Sequence, residues 1–246
     1  MRTQIIAEDK HILVCFKPAG LAVQSSRIGE ADMVSELKNY LAASGRTGKP
    51  PYLGLVHRLD QPVSGLIVCA KTPQAAAELS RQVGERAEKG TEEGTEQEAG
   101  LMDKEYTALI FTGEGSALPP KGSRQTLTDY LVRDGRTNTS RVAGEREKDA
   151  RQARLVWEVL DENWQEDAAM IRVKLFTGRH HQIRVQLSHA GFPLLGDQRY
   201  GSDGSLACSD RLGLRGVCLC ASRLGFCHPA TGKRMEYRTE EFPWKK

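Results

Sequence analysis

Residues 55–72 read LVHRLDQPVSGLIVCAKT, a loop followed by an apolar run. Gln61-Pro62 is typical of a turn, and the run from Gly65 to Ala70 predicts a strand buried on both faces. Arg58 and Asp60 come directly before the turn. Such residues either hold a turn as a solvent-screened ion pair or provide a reactive carboxylate with a cation that keeps it ionised. This stretch alone leaves both interpretations open.

The composition is that of an ordinary globular protein. The chain has 246 residues, of which 39% are hydrophobic, enough for one large domain or two small ones. No apolar stretch approaches the roughly 20 residues of a membrane-spanning helix, and the first residues lack the pattern of a secretory signal. We therefore expect a single domain over residues 1–246, located in the cytoplasm and without membrane association.

The positive charge is small and unevenly distributed. The formal net charge is +3, while residues 91–100 contain four glutamates and no basic residue. The rest of the chain is therefore more basic than the total, which is compatible with a polyanionic partner but does not require one. Residues 88–101 are rich in glycine and glutamate and poor in apolar side chains, so they predict a flexible acidic insertion.

The cysteines give no metal-binding pattern. Most of the six lie among Val, Leu, Phe or Ala, as buried free thiols do. None forms a C-x-x-C pair, and Cys218, Cys220 and Cys227-His228 lack a standard zinc spacing. We predict reduced thiols and no bound metal.

Hydrophobic periodicity predicts a strand-rich chain with a few helices. An amphipathic pattern indicates helices within residues 30–44, 72–89 and 178–191, with Thr72 as an N-cap and Gly191 as a stop signal. Strands are predicted as a hairpin within residues 4–17 and within residues 65–71, 105–113, 125–134, 152–163, 168–178, 217–229 and 234–244. Consecutive strands without intervening helices favour an antiparallel or mixed sheet and an α+β fold.

The wider context of the opening stretch is more specific than its four central residues. The sequence HRLDQPVSGLIVCA resembles the catalytic motif of the RluA-type pseudouridine synthases, in which His-Arg-Leu-Asp precedes Ser-Gly and an apolar strand. Four further blocks resemble motifs of that family in the same order: FKPAGLAVQ, DKEYTALIFTG, TGRHHQIRVQLSHAGFPLLGDQRYG and CASRLGFCHPATGKRMEY. The resemblance extends from about residue 5 to residue 243, with the acidic insertion outside it.

This resemblance implies the pseudouridine synthase fold, a mixed and mostly antiparallel sheet with flanking helices and a central active-site cleft. It implies an isomerase that breaks the N-glycosidic bond of a uridine in ribosomal or transfer RNA, rotates the uracil and joins its C5 to the ribose. No cofactor is needed, since no atom is added or removed. The implied partner is structured RNA with the uridine flipped out of its stack.

The resemblance also leads to expectations about domain content and oligomeric state. Members of the family often carry an N-terminal S4-type RNA-binding domain, and the strand pattern here begins almost at Met1. We therefore expect a catalytic domain without the S4 domain. No obligate protein partner is implied, so we expect a monomer.

The resemblance also assigns site residues. Asp60 is the catalytic carboxylate, acting either on ribose C1′ or by promoting loss of the 2′ proton to form a glycal. Arg184 is its distant counter-charge, because burial alone would protonate the carboxyl group. Tyr106 lies against the target uracil, although packing in the core is the commoner role of a strand tyrosine. The residues implied to contact RNA are Arg58, His57, Arg179, His181 and Gln182.

The sequence differs from the family pattern at several positions. Gln24, Gln186 and Cys220-Ala221 stand where the family often has histidine, but none of these positions is the nucleophile. A non-catalytic RNA-binding module would be favoured had Asp60 or Arg184 been replaced. A metal-dependent hydrolase using His57, His180 and His181 is disfavoured, because neighbouring residues on a helix point about 100° apart.

Overall fold

A computed structural model describes residues 1–25, 27, 29–44, 50–89, 101–113 and 117–245. The chain divides into two compact units. Unit 1 comprises Met1–Lys104 and Ala221–Pro243, and unit 2 comprises Glu105–Cys220 and Trp244–Lys246. The single domain over residues 1–246 stays a prediction.

The secondary structure is strand-rich, as the sequence predicts. The strands are β1 (Gln4–Glu8), β2 (Ile12–Lys17), β3 (Gly54–Leu55), β4 (Ser64–Ala70), β5 (Asp103–Phe111), β6 (Arg124–Asp134), β7 (Thr139–Ala143), β8 (Arg151–Gln165), β9 (Ala168–Leu175), β10 (Leu219–Cys227) and β11 (Arg234–Arg238). The helices are α1 (Met33–Ser44), α2 (Pro73–Lys89), α3 (Gln182–His189) and α4 (Asp203–Arg211).

Unit 1 is built on strands in the order β1-β2-β4-β10-β11, with β3 also pairing with β4. The pairs β1–β2, β2–β4, β3–β4 and β10–β11 are antiparallel. All seven residues of β4 are buried, which agrees with its continuous apolar run. Helix α2 contributes Ala75 and Leu79 to a core that includes Val68 and Phe226. The amide of Ala75 donates to the Thr72 hydroxyl at 3.2 Å, which confirms the predicted cap.

Unit 2 has the strand order β5-β9-β8-β6-β7, and each successive pair is antiparallel. Helix α3 lies on this sheet, where Val185 packs against Leu131 of β6 and Ala153 of β8. Gly191 follows α3 with a φ of 86°, the left-handed conformation that a helix-ending glycine adopts readily. Strands β3 and β7 and helix α4 are absent from the sequence predictions.

The α+β class is confirmed, and the helices predicted within residues 30–44, 72–89 and 178–191 are α1, α2 and α3. The predicted flexible insertion over residues 88–101 falls mainly at residues 90–100, outside the described residues. At its edges α2 continues to Lys89, and Leu101 is buried. None of the helices in the described part of the chain combines the length and the hydropathy that a membrane crossing requires.

Candidate active site

The predicted catalytic carboxylate lies in an extended segment of unit 1, between β3 and β4. His57 and Leu59 are only 8% and 7% exposed, while Arg58 is exposed and Asp60 is half-buried. This alternation is that of an extended chain, so Arg58 and Asp60 point to the same, outer side. The amide of Val63 donates to the carbonyl oxygen of Asp60 at 3.1 Å and closes the turn. The carboxylate is therefore presented at the start of a fixed turn.

A buried lysine holds this turn in place. The ammonium group of Lys17 donates to the carbonyl oxygens of Gln61 at 3.1 Å, Leu21 at 2.7 Å and Pro18 at 3.0 Å. Burial lowers the pKa of Lys17 to about 8, and the negative charge of Asp60 opposes that decrease. Lys17 is not among the predicted site residues, although the Lys-Pro-x-Gly block that contains it is a recognisable signal.

His57 has a structural position. Its Nε2 accepts a hydrogen bond from the amide of Val68 in β4 at 3.2 Å. Burial, followed by the positive charge of Lys104, lowers the pKa of His57 well below its usual value, so the imidazole is neutral. The predicted contact of His57 with RNA stays a prediction that its burial does not favour.

Arg184 lies on α3 in unit 2, and its side chain is only 5% exposed. Its Nε and Nη2 donate to the two carboxylate oxygens of Asp197, each at 2.7 Å. Its guanidinium carbon lies 5.0 Å from the centre of the Tyr200 ring. Arg184 is therefore not a helix-surface charge. Asp197 is not among the predicted site residues, although it lies within the family-like block GDQRYG.

Three other residues predicted to contact RNA lie at the start of α3 and stabilise it through hydrogen bonds. Arg179 is half-buried, and its Nε donates to the carbonyl oxygen of Gln152 at 2.8 Å. His181, with a left-handed φ of 56°, forms a hydrogen bond through Nδ1 with the Tyr200 hydroxyl at 2.7 Å. Gln182 is 3% exposed and accepts from the amide of Arg179 at 3.0 Å. The burial of His181 and Gln182 does not favour direct RNA contact, which stays a prediction.

The pKa of Arg179 is lowered by its surroundings. Burial, and then the nearby charge of Arg151, lower the pKa of Arg179. A positive charge near a second arginine is compatible with phosphate binding, and the contact of Arg179 with RNA stays a prediction.

Tyr106 is the remaining predicted catalytic residue. It lies in β5 opposite Val173 of β9 and is 6% exposed. This burial fits a core aromatic residue, and the predicted contact with the uracil stays a prediction.

Comparison with known proteins decides the family. The family model described as RNA pseudouridylate synthase matches residues 11–189, about three quarters of the chain. The chain belongs to this family.

Several relatives of this pseudouridine synthase cover nearly all of it. An uncharacterized RNA pseudouridine synthase of Aquifex aeolicus (strain VF5) is 32% identical over 240 residues, which cover 96% of this chain and 69% of that protein. The ribosomal large subunit pseudouridine synthase D of Zymomonas mobilis is 31% identical over 250 residues, with coverages of 96% and 68%. The dual-specificity RNA pseudouridine synthase RluA of Salmonella typhi is 32% identical over 239 residues, with coverages of 95% and 91%.

A solved structure shows the same fold. Human RNA Pseudouridylate Synthase Domain Containing 1 has a TM-score of 0.71 and 22% identity, covering 97% of this chain and 83% of that one. The predicted RluA-type family, pseudouridine synthase fold and isomerase class are thereby confirmed.

The predicted site residues of this pseudouridine synthase fall into both units. Unit 1 holds His57, Arg58 and Asp60 within four consecutive residues. Unit 2 holds Tyr106, Arg184 and the segment Arg179–Gln182. The pairing of Asp60 with Arg184 stays a prediction.

The alternative of a metal-dependent hydrolase gains no support from the histidines. The rings of His180 and His181 stack with their centres 3.7 Å apart. The Nδ1 of His180 lies 2.9 Å from the Ser140 hydroxyl, and that of His181 bonds to Tyr200. Over the residues that the structure describes, no three His, Cys, Asp or Glu side chains are arranged to hold a metal ion.

Proposed function

We propose that this enzyme isomerises specific uridines of structured RNA to pseudouridine and that Asp60 is the catalytic carboxylate. The observation that carries the proposal is the position of Asp60, a half-buried carboxylate in the matched family motif, on a turn fixed from within by Lys17. The Zymomonas mobilis relative is named as a pseudouridine synthase of the ribosomal large subunit. Ribosomal RNA is therefore the first target class to test, and transfer RNA is the second.

The proposed reaction balances without a co-reactant. The bond between N1 of the uracil and C1′ of the ribose breaks, the base rotates, and a bond from C5 to C1′ replaces it. The proton lost from C5 is matched by the proton gained at N1. A carboxylate assists either by attacking C1′, as in retaining glycosidases, or by promoting loss of the 2′ proton to give a glycal.

The other residues take the roles that this chemistry requires. Arg184 provides the counter-charge for the carboxylate of Asp60, since a guanidinium group pairs with a carboxylate through charge-assisted hydrogen bonds. Tyr106 stacks on the uracil, and its hydroxyl takes part in removing the C5 proton. Arg58, exposed on the same side as Asp60, contacts the RNA next to the flipped-out uridine.

The first experiment identifies the target. Pseudouridines are mapped in total RNA from cells with and without the gene, and the lost positions name the RNA and the uridine. A transcript containing that position is then the substrate for the purified protein. A map without any lost position in ribosomal or transfer RNA would contradict the proposed target class.

The second experiment tests Asp60 on that transcript. Asp60→Asn should reduce pseudouridine formation on the order of 10³-fold or more, because it removes the reacting carboxylate and keeps the side-chain size. Asp210→Asn is the matched control, since Asp210 is an exposed residue at the end of α4 and should be dispensable. An Asp60→Asn variant with the wild-type rate would exclude Asp60 as the catalytic carboxylate.

A further inference from the structure

The buried ion pair of unit 2 contains Asp197, a residue to which the proposed reaction gives no role. Asp197 is completely buried, and its two carboxylate oxygens accept from Nε and Nη2 of Arg184 at 2.7 Å each. Two parallel hydrogen bonds of this kind fix the plane of a guanidinium group as well as its position. The orientation of Arg184 is therefore set by Asp197.

Asp197 is itself held by the backbone of its loop. Its Oδ1 accepts from the amides of Arg199 at 3.0 Å and Tyr200 at 3.2 Å. The preceding Gly196 has a φ of 73°, and a Cβ there would lie 2.0 Å from the carbonyl oxygen of Gly216. No other residue fits at position 196 without moving the backbone. The carboxylate thus has a fixed position that does not depend on Arg184.

The loop is also anchored to α4. The amide of Gly196 donates to the hydroxyl of Ser209 at 2.8 Å, and the amide of Gly201 donates to the carbonyl oxygen of Asp197 at 2.8 Å. A carboxylate supported from several sides is suited to holding another group in place.

The negative charge of Asp197 also offsets the cost of burying the Arg184 guanidinium. A guanidinium group on a buried face of α3 is costly without a nearby negative charge, and Asp197 provides one. Asp197 accepts from Nε and Nη2, which form one edge of the guanidinium, and this side-on geometry gives Nη1 on the opposite side a fixed orientation.

We propose that Asp197 is a positioning residue, which holds Arg184 in the orientation that the catalytic carboxylate requires. This inference rests on the function proposed above and adds to it a second carboxylate that does not touch the RNA. Asp197 acts through Arg184 alone, and its loss should therefore slow the chemical step without weakening RNA binding.

The variant Asp197→Asn separates this role from a merely structural one. Asparagine keeps one oxygen for the amides of Arg199 and Tyr200, but its NH₂ group cannot accept from Nε of Arg184. The rate of pseudouridine formation is measured in single-turnover reactions with saturating enzyme, so that an inactive fraction does not change the rate constant. RNA affinity is measured separately by filter binding.

We expect Asp197→Asn to lower the single-turnover rate constant by about 10²-fold, the effect of misplacing a reacting group by about 1 Å. RNA affinity should stay at the wild-type value. The matched control is Asp103→Asn, which removes the carboxylate contacted by Arg234 and Arg223 in unit 1. The control should keep the wild-type rate constant although it also loses an aspartate–arginine pair.

A double variant shows whether Asp197 acts through Arg184. In an Arg184→Gln background, adding Asp197→Asn should leave the rate constant unchanged, and a further decrease would overturn the inference. The double variant is also informative if Asp197→Asn alone does not fold. In the Arg184→Gln background, Asp197→Asn leaves no buried arginine without its partner.

The two proposals fail in different ways. A wild-type rate constant for Asp197→Asn, with an inactive Asp60→Asn, would overturn the role of Asp197 alone. A wild-type protein that forms no pseudouridine in any RNA would overturn the proposed function instead.

Discussion

Lys17 and Gln61 are joined by a hydrogen bond of 3.1 Å from the buried ammonium group to the carbonyl oxygen of the residue that follows Asp60. The amide of Gly20 donates to the same oxygen at 2.9 Å. Through these contacts the Lys-Pro-x-Gly loop after β2 supports the turn that carries the proposed catalytic carboxylate. This arrangement makes Lys17 a position where activity and stability respond differently to substitution.

Lys17→Met should reduce the single-turnover rate of pseudouridine formation by about tenfold, because the turn after Asp60 keeps the hydrogen bond from Gly20 but loses the one from Lys17. Its free energy of unfolding at pH 7 should change by less than about 1 kcal/mol. Three carbonyl groups lose a donor, but a completely buried charge is also removed, and the two effects are of similar size. Lys148→Met, at an exposed position, should change neither quantity. A wild-type rate for Lys17→Met would contradict this role of Lys17.

Lys17 should also make stability depend on alkaline pH. Its pKa is about 8 in the folded protein against 10.5 for an ordinary lysine, so the unfolded chain binds more protons between these values. The free energy of unfolding contributed by this group therefore rises with pH in that interval. Between pH 7.5 and 9.5, the wild type should gain about 2 kcal/mol relative to Lys17→Met in urea unfolding. A difference that stays constant or shrinks over this range would show that the pKa of Lys17 is not lowered in the folded protein.

Local signals in the sequence predict the elements that have strong periodicity and clear ends. Helix α2 has an amphipathic pattern, a Thr72 cap and Pro73 at its first position, and the structure places it at Pro73–Lys89. Strand β4 is a continuous apolar run, and every one of its residues is buried. Helix α4 was missed because it has glycine in its first turn and only weak apolar periodicity. Its signal was Ser202, whose hydroxyl caps the helix.

The polar interior of the site could not be predicted in the same way. Lys17 and Asp197 are buried charges, and local sequence patterns assign charged residues to the surface. Their burial depends on partners that are distant in the sequence, such as Gln61 for Lys17 and Arg184 for Asp197. Family resemblance located the blocks that contain them but did not assign them contacts.

Gly65, next to the proposed catalytic turn, should not tolerate a side chain. Its φ is 129°, and a Cβ would lie 2.4 Å from the amide nitrogen and 2.5 Å from the carbonyl oxygen of Ala221 in β10. Gly65→Ala should therefore lower the free energy of unfolding by about 3 kcal/mol, combining backbone strain with a steric clash. Gly84→Ala is the contrasting control, because Gly84 lies in α2 with open space around it. The control should raise stability by about 1 kcal/mol in the same urea titration. Equal stabilities for the two variants would mean that β4 and β10 separate to admit a methyl group.

A substitution at Tyr200 tests whether the hydrogen bonds at the start of α3 affect stability without changing the orientation of Arg184. Its hydroxyl accepts from the amide of Ser140 at 2.8 Å and bonds to Nδ1 of His181 at 2.7 Å, while its ring lies beside Arg184. Tyr200→Phe leaves both polar partners without this hydroxyl and should lower the free energy of unfolding by about 2 kcal/mol.

The single-turnover rate of Tyr200→Phe should fall less than that of Asp197→Asn, because the carboxylate that orients Arg184 remains and the aromatic ring beside Arg184 is kept. Tyr130→Phe is the matched control, since the Tyr130 hydroxyl bonds to Glu145 at the surface and its loss should not measurably affect stability. If Tyr200→Phe slowed the reaction as much as Asp197→Asn, the orientation of Arg184 would depend on the whole hydrogen-bonded network of Ser140, His181 and Tyr200. The ion pair with Asp197 would then be only one part of it.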